Sequence, residues 1–404
     1  MKILLVSQYF YPEEFKVNDL AAGLVECGHS VTVLTGKPNY PQGTYFEGYG
    51  FWGVRNECYK GAKVIRIPLI RRGRGTAFRL VANYLSFAFF GSLYVWFHKM
   101  EYDYALCFQP SPITQIYPAL VLKRKCKCKV GLWVQDLWPE SVSAAGNVNN
   151  QFVHRYLNRM VRRIYAKCDT LFVQSEAFSH SICTKGPFED KVVYAPNWAE
   201  DLFCTRENVD EQKYQHLMPE GFLVMFAGNV GAAQDFDSIL KAASLTKDIP
   251  EIKWVIVGDG RKRDEAERQV KKMGLEKAIV FLGRYPVTEM PAFFVHADAM
   301  LISLRDEYIF SLTIPSKLQA YMAFGKPVLS MINGIGNDII KKAGCGLTAN
   351  AGDAEVLADN VRRFYEMDRW KLKKMGENGF AYYEKNFARK IVVDRFCQVI
   401  NDKL

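Results

Sequence analysis

The chain has 404 residues, 49% of them hydrophobic, and a formal net charge of +10. Its length allows two domains of ordinary size, and its charge calls for an anionic partner: nucleic acid, lipid headgroups or acidic small substrates. No helix-turn-helix, zinc-finger or RNA-binding signature is present, which ranks nucleic acid last. The 10 cysteines show no zinc or disulfide spacing, so they are expected as reduced thiols in a cytosolic protein. Met1-Lys2 runs into Ile3-Leu4-Leu5-Val6, too short an apolar run for a signal-peptide core.

Lys2–Ser7 reads as a buried strand, and Asn18–Cys27 as a helix that stops at Gly28. Ser30–Thr35, Val64–Pro68, Tyr104–Phe108, Val130–Val134 and Thr170–Gln174 are further β-rich runs separated by helical stretches. Such alternation implies a parallel sheet covered on both faces, with ligands bound beyond the carboxyl ends of its strands. The loop after the first strand offers Tyr9, Tyr11, Lys16 and Asn18, aromatics for an apolar or sugar surface and a lysine for a phosphate. The tyrosine- and glycine-rich Tyr40–Tyr49 suits acceptor contact. In Gln135–Ser141, Asp136 stands at a strand end, where a carboxylate can accept a proton or orient hydroxyls. Glu140 is better read as a helix-start carboxylate, and Trp138-Pro139 is an unusual loop filler.

Leu80–Phe97, LVANYLSFAFFGSLYVWF, is almost wholly apolar. It is near the lower limit of roughly 18 residues for a membrane span, and Asn83, Ser86, Gly91 and Ser92 dilute it. It is expected as a helix partly packed in the core and partly facing a bilayer, with Arg71, Arg72, Arg74 and Arg79 meeting anionic headgroups. A fully buried core helix is the rival reading.

From Pro196-Asn197-Trp198 to Met218-Pro219 the pattern pauses, then restarts as a second doubly wound domain. Phe222–Ala227, Lys253–Val257 and Ala278–Leu282 read as strands ending in Gly228-Asn229-Val230-Gly231, Gly258-Asp259-Gly260 and Gly283-Arg284. Glycine there lets a ligand or a backbone come close. Ser316 and Lys317 open a helix that stops at Gly325, with Pro315 in its first turn. A lysine at the positive end of a helix dipole costs stability, and that placement suits a bound phosphate. Arg261 and Lys262 would add positive charge for a diphosphate. Asp235-Phe236-Asp237 has the spacing of a metal-bound nucleotide motif, but helix-start carboxylates explain it better.

Together SQYFYPE (7–13), GHSVTVLTGKPNYPQG (28–43), NYLSFA (83–88), QDLWPES (135–141), PNW (196–198), AGNVGAAQ (227–234), VGDG (257–260) and TIPSKLQAYMAFGKPVL (313–329) carry a likeness over nearly the whole length. The chain resembles glycosyltransferase family 4, and within it the WbuB-like transferases of bacterial O-antigen and capsule synthesis. The resemblance implies a GT-B fold: two Rossmann-like doubly wound domains facing a central cleft. Residues 1–200 with a crossing helix at 389–404 would form the acceptor side, and residues 201–388 would hold the nucleotide sugar. It implies a retaining transfer that needs no metal or other cofactor. The donor would be a UDP-sugar, such as an N-acetylfucosamine derivative. The acceptor would be a polyprenyl-diphosphate-linked saccharide, with the enzyme held peripherally at the inner face of the cytoplasmic membrane.

Donor contacts are expected from Gly228, Asn229, Gln234, Gly258, Gly260, Arg261, Lys262, Gly283, Arg284, Ser316, Lys317, Leu318 and Gln319, catalytic roles from Asp136 and Glu307, and acceptor contacts from Tyr9, Tyr11, Lys16, Asn18 and Trp138. Two family glutamates are replaced by Leu312 and Ala320, and an Arg and a Lys by Asn229 and Gln234. Gln319, Glu307 or Asp306 would then serve the ribose, and Lys317, Arg261 or Lys262 the diphosphate. A UDP-sugar epimerase and a non-catalytic subunit of a polysaccharide assembly complex are the rivals. The first would need acid/base groups converging on the sugar; the absent glutamate pair motivates the second.

Overall fold

The computed structural model describes residues 1–73, 76–142, 150–205 and 209–403. It divides into two units, Met1–Pro196 with Lys390–Leu404, and Asn197–Arg389.

The first unit is built on eight strands: β1 (Lys2–Val6), β2 (Ser30–Gly36), β3 (Arg55–Tyr59), β4 (Ala62–Ile67), β5 (Tyr104–Gln109), β6 (Lys129–Val134), β7 (Thr170–Val173) and β8 (Val192–Tyr194). Their order is β3-β4-β2-β1-β5-β6-β7-β8. All neighbours are parallel except β3, which runs antiparallel to β4. Ile3–Val6 and Ala105–Cys107 are fully buried, as apolar runs in a sheet covered on both faces must be. The half-exposed β3, RNECY, has no apolar run to announce it, and β8 is only three residues long. The helices are α1 (Lys16–Glu26), α2 (Ala77–Phe97), α3 (Tyr117–Cys126), α4 (Gln151–Lys167) and α5 (Glu176–Cys183). Because the chain leaves β1 in one direction through β2 and returns to it at β5, the switch point lies between β1 and β5. The loops there are placed to hold a ligand.

The second unit has six strands: β9 (Phe222–Ala227), β10 (Ile252–Val257), β11 (Ile279–Gly283), β12 (Ala299–Ser303), β13 (Val328–Met331) and β14 (Gly346–Ala349). They are all parallel, in the order β11-β10-β9-β12-β13-β14. The switch point here is between β9 and β12. Its helices are α6 (Phe236–Leu245), α7 (Arg263–Met273), α8 (Met290–Phe294), α9 (Tyr308–Leu312), α10 (Ser316–Phe324), α11 (Ile335–Ala343), α12 (Ala354–Glu366) and α13 (Arg369–Asn386). Val224, Phe226, Ile239, Trp254, Leu301, Leu329 and Phe364 lie in its core.

The last helix, α14 (Arg389–Asp402), belongs almost wholly to the first unit. Phe396 packs on Trp133 and Phe172, with ring centres 4.9 and 4.4 Å apart, and Arg395 donates to the Tyr194 carbonyl at 2.9 Å. All ten cysteines are free thiols.

Candidate functional site

In the second unit the site is built from the start of α10 and the loop after β9. Pro315 stands one residue before the helix rather than inside its first turn, with extended φ/ψ of −63° and 129°. The Leu318 N–H makes the first turn's bond, to the Pro315 carbonyl at 2.9 Å, so the Ser316 and Lys317 N–H groups precede it. Gly325 ends the helix at φ 65°, as a left-handed stop requires.

The Lys317 ammonium is sealed from solvent and hydrogen-bonds to nothing among the described residues. It lies 3.5 Å over the Phe226 ring centre, a cation–π contact that offsets only part of the lost hydration. Burial pulls its pKa down to about 7. The stem crosses Gly228: a Cβ there would stand 2.6 Å from Lys317 Cε and 2.8 Å from Nζ. Gly228, at φ 138°, is thus bare to admit the lysine. At the end of β12, beside β9, the Ser303 hydroxyl is also buried without a partner. Nothing in the sequence marks Ser303, because its role depends on strand order.

The other predicted donor residues divide. Arg261 and Arg284 are exposed, and Arg261 makes no ion pair among the described residues. Lys262 is committed to Glu265 at 2.6 Å, and the neighbouring Arg263 to Glu267 at 2.8 Å. The freedom of Gly258 and Gly260 is used by backbone rather than ligand. Cβ atoms there would stand 1.8 Å from the Gly228 oxygen and 2.3 Å from the Val230 oxygen. Gly283 ends β11 at φ 86°. Asn229 is exposed, whereas Gln234 turns back to accept from the Gly231 N–H at 3.2 Å. Leu318 and Gln319 were expected at the ligand, but both face the interior, and Gln319 Nε2 donates to the Asn197 carbonyl at 2.6 Å. A helix that packs one face into the core cannot present these two side chains outward. Glu307 is exposed before the short α9, and no contact ties it to Lys317. Asp306 accepts from Asn333 at 2.8 Å. Asp237 accepts from Gln269 at 3.0 Å beside the helix start, and no group of three or more potential metal ligands occurs among the described residues.

In the first unit the loops after β1, β5 and β6 carry the polar groups. Tyr9 is buried, stacked on Phe15 at 4.9 Å, and burial pushes its phenol well up. Tyr11 is exposed and packs on Tyr59. Asn18 is structural: it accepts from the Tyr11 N–H at 2.9 Å and donates to the Glu13 carbonyl at 2.7 Å. Lys16 is the first residue of α1 and has a partner. Asp136 accepts from the Ser111 N–H at 3.0 Å, and the nearly buried Trp138 donates to Ser111 Oγ at 3.0 Å. Glu140 pairs with Lys185, the structural role expected of it.

The sequence reading missed Glu13. Its carboxylate is buried and accepts from the N–H groups of Asn39 (2.8 Å), Tyr40 (2.7 Å) and Phe10 (3.2 Å). Burial nevertheless raises its pKa to about 7. In Pro12-Glu13-Glu14-Phe15 nothing distinguishes the buried glutamate from the exposed one.

The helix α2 turns its polar residues inward. Asn83 and Ser86 are buried: Gln8 Nε2 donates to Asn83 Oδ1 at 2.7 Å, Asn83 Nδ2 to the Ile70 carbonyl at 2.5 Å, and the Ile70 N–H to Ser86 at 3.0 Å. Gly91 lets the helix close on Pro118, 2.7 Å from where its Cβ would be. Phe78, Val81, Leu85, Phe89, Leu93, Trp96 and Phe97 all point out, with Phe78 82% and Phe97 73% exposed. Arg71 and Arg79 are exposed near its start, and Arg74 lies outside the described residues. Arg72, assigned to the same surface by sequence, turns inward instead. Its N–H donates to Asn39 Oδ1 at 3.0 Å, and its guanidinium lies 5.0 Å over Tyr40; burial raises the phenols of Tyr9 and Tyr84, and the nearby Arg72 opposes that rise only in part. A stacked aromatic face draws the flat cation away from the solvent-facing side.

Two family descriptions match the halves of the chain: a glycosyl transferase 4-like domain over residues 14–198, and glycosyl transferases group 1 over residues 208–382. The chain is a glycosyltransferase, similar in both halves to family 4 of that class. Among its relatives, WbjE of Pseudomonas aeruginosa, named a probable glycosyltransferase, is 26% identical over 87% of this chain and 85% of its own length. WcaI of Escherichia coli K12, a glycosyl transferase assigned to colanic acid biosynthesis, is 24% identical over 80% of this chain and 82% of its own. Sucrose-phosphate synthase from Thermosynechococcus elongatus shares the GT-B fold, with a TM-score of 0.77 at 16% identity over 99% of this chain and 98% of that one. Anabaena HepE, solved with UDP and glucose, has a TM-score of 0.68 at 15% identity, covering 99% of both chains.

Proposed function

We propose that this glycosyltransferase moves a sugar from a UDP-sugar to a polyprenyl-diphosphate-linked saccharide in polysaccharide synthesis, with retention and without a metal. The observation that carries the donor side is the buried, unpartnered Lys317 ammonium beside Gly228 at the opening of α10. An ammonium with three idle donors next to the N–H groups of a helix start suits a diphosphate. HepE crystals with UDP and with UDP-glucose support the choice of nucleotide, and the name of WcaI supports polysaccharide synthesis. As the sugar leaves, charge grows on the diphosphate, and Lys317 and the α10 N–H groups are donors fixed in advance for it, with the exposed Arg261 free to join them. Backbone groups at Gly283-Arg284 would read the base.

On the acceptor side, Asp136 would orient a hydroxyl, and Arg72 among its tyrosines would meet the acceptor's diphosphate. The outward apolar face of α2, with Arg71 and Arg79 at its start, supports peripheral attachment to the inner face of the cytoplasmic membrane. The inward Asn83 and Ser86 argue against a span, because they tie the helix to the sheet.

The test is incubation with UDP-sugars, including the N-acetylfucosamine derivative, with and without a lipid-linked acceptor. Acceptor-dependent UDP release is expected. Isomerised donor without acceptor would establish an epimerase instead, and no binding of any UDP-sugar a non-catalytic subunit.

A further inference from the structure

The helix α4 reads QFVHRYLNRMVRRIYAK and contains no carboxylate. It buries Val161, Ile164 and Tyr165 against the first unit. Along its outer face run Phe152, Arg155, Tyr156, Arg159, Arg162 and Arg163, at helical spacings of three and four. All six are exposed, Phe152 by 79% and Tyr156 by 68%. None of the four arginines forms an ion pair or hydrogen bond among the described residues, and together they line one open groove floored by Pro187 and Phe188. Lys191 closes the groove's far end but spends its ammonium on the Ala166 and Cys168 carbonyls, at 2.8 and 2.9 Å.

We infer that α4 is a second membrane-contacting helix, whose arginine groove takes the phosphates of anionic lipid headgroups while Phe152 and Tyr156 enter the interface beneath them. This rests on the membrane-bound acceptor proposed above. Three features favour a lipid surface over nucleic acid or an acidic protein. Aromatics and arginines share one stripe, the pattern of a helix lying in the interface plane. Four uncompensated guanidinium groups match a dense field of phosphates. The stripe also continues toward α2: burial and, after it, the nearby Tyr156 raise the Tyr117 phenol, and Tyr117 opens α3, which packs on α2 through Pro118 and Gly91.

Vesicle flotation of the full chain tests it, with phosphatidylcholine vesicles plain or doped with phosphatidylglycerol. Changing Arg155, Arg159, Arg162 and Arg163 together to Glu is expected to lower partition onto doped vesicles at least about tenfold, with UDP-sugar affinity and melting temperature unchanged. A second variant, Phe152→Ser with Tyr156→Ser, is expected to weaken binding to both vesicle types. Phe89→Asp with Trp96→Asp in α2 is the control. If that pair detaches the protein while the arginine variant floats like wild type, α4 is not an interface and the membrane reading survives. If wild type floats with neither vesicle, both fall. RNA binding lost in the arginine variant, with flotation unchanged, would also overturn the assignment.

Discussion

Glu13 in the first unit and Lys317 in the second are both buried ionisable groups that burial drives to about 7. Their surroundings differ completely. Glu13 accepts from three backbone N–H groups and holds the chain between β1 and β2 in place. Lys317 has no acceptor among the described residues, only the face of Phe226 and the bare backbone of Gly228. Equal pKa values therefore do not mean equal roles. A buried charge that the fold satisfies is a brace, whereas one the fold leaves unsatisfied is a seat for a ligand that supplies the missing charge.

The largest expected effect on binding separates the two. Lys317→Ala removes a charge-assisted phosphate contact, so UDP-sugar affinity should fall about 10- to 150-fold, the equivalent of about 1.5–3 kcal/mol. Glu13→Gln should leave that affinity unchanged by calorimetric titration. Equal loss in both variants would collapse the distinction. Gly228→Ala comes next. Its Cβ would overlap the lysine stem, and the lysine, being flexible, would swing aside. Weakened binding in a folded protein is expected, and unchanged affinity would show that the seat tolerates another lysine position.

Acidity sharpens the contrast further. A bound diphosphate favours the protonated ammonium, so UDP-sugar affinity should fall by up to about tenfold per pH unit above about 7. In Lys317→Met that slope should vanish. Without ligand the same lysine costs stability, because its folded pKa lies below the ordinary value of 10.5. The cost is greatest below about 7 and fades as pH rises toward 10.5. Lys317→Met should therefore be more stable than wild type at pH 6, by up to about 5 kcal/mol at about 1.4 kcal/mol per unit of depression. The gain should shrink toward pH 10. A variant that is more stable yet cannot bind would mark Lys317 as a functional rather than a structural residue.

Much of this was legible in the sequence, and the failures share a cause. Apolar runs located most of the strands, and glycines at strand ends with Ser316-Lys317 pointed to the edge where the donor site is proposed. Lys317 could be read because a lysine at a helix start runs against the dipole. Gln319 and Leu318 could not be judged, since which helical residues face inward depends on packing against strands far away in sequence. Arg72 was misplaced for the same reason: four arginines close in sequence look alike until Tyr40 and Asn39 draw one inward. In α2 the sequence treated Asn83 and Ser86 as flaws in an apolar helix. They lie on its buried face with Phe87 and Val95, and most of its large apolar residues are outside.

The last predicted effect concerns Glu13 alone and touches stability rather than binding. Its folded pKa of about 7 exceeds the ordinary 4.5, so between those values the folded chain keeps a proton that the unfolded chain has released. Wild type should therefore lose stability as pH rises from 4.5 through 7, and no more beyond. Glu13→Gln cannot titrate there, and any misfit of its amide against the three N–H groups is independent of pH. The difference between the two proteins should drift by up to about 3 kcal/mol across that window and then stay flat. Denaturant melts at pH 5, 6, 7 and 8 measure it. A constant difference would mean that the three N–H groups already hold Glu13 ionised. The brace would then carry a permanent charge, and only Lys317 would remain poised between its two forms.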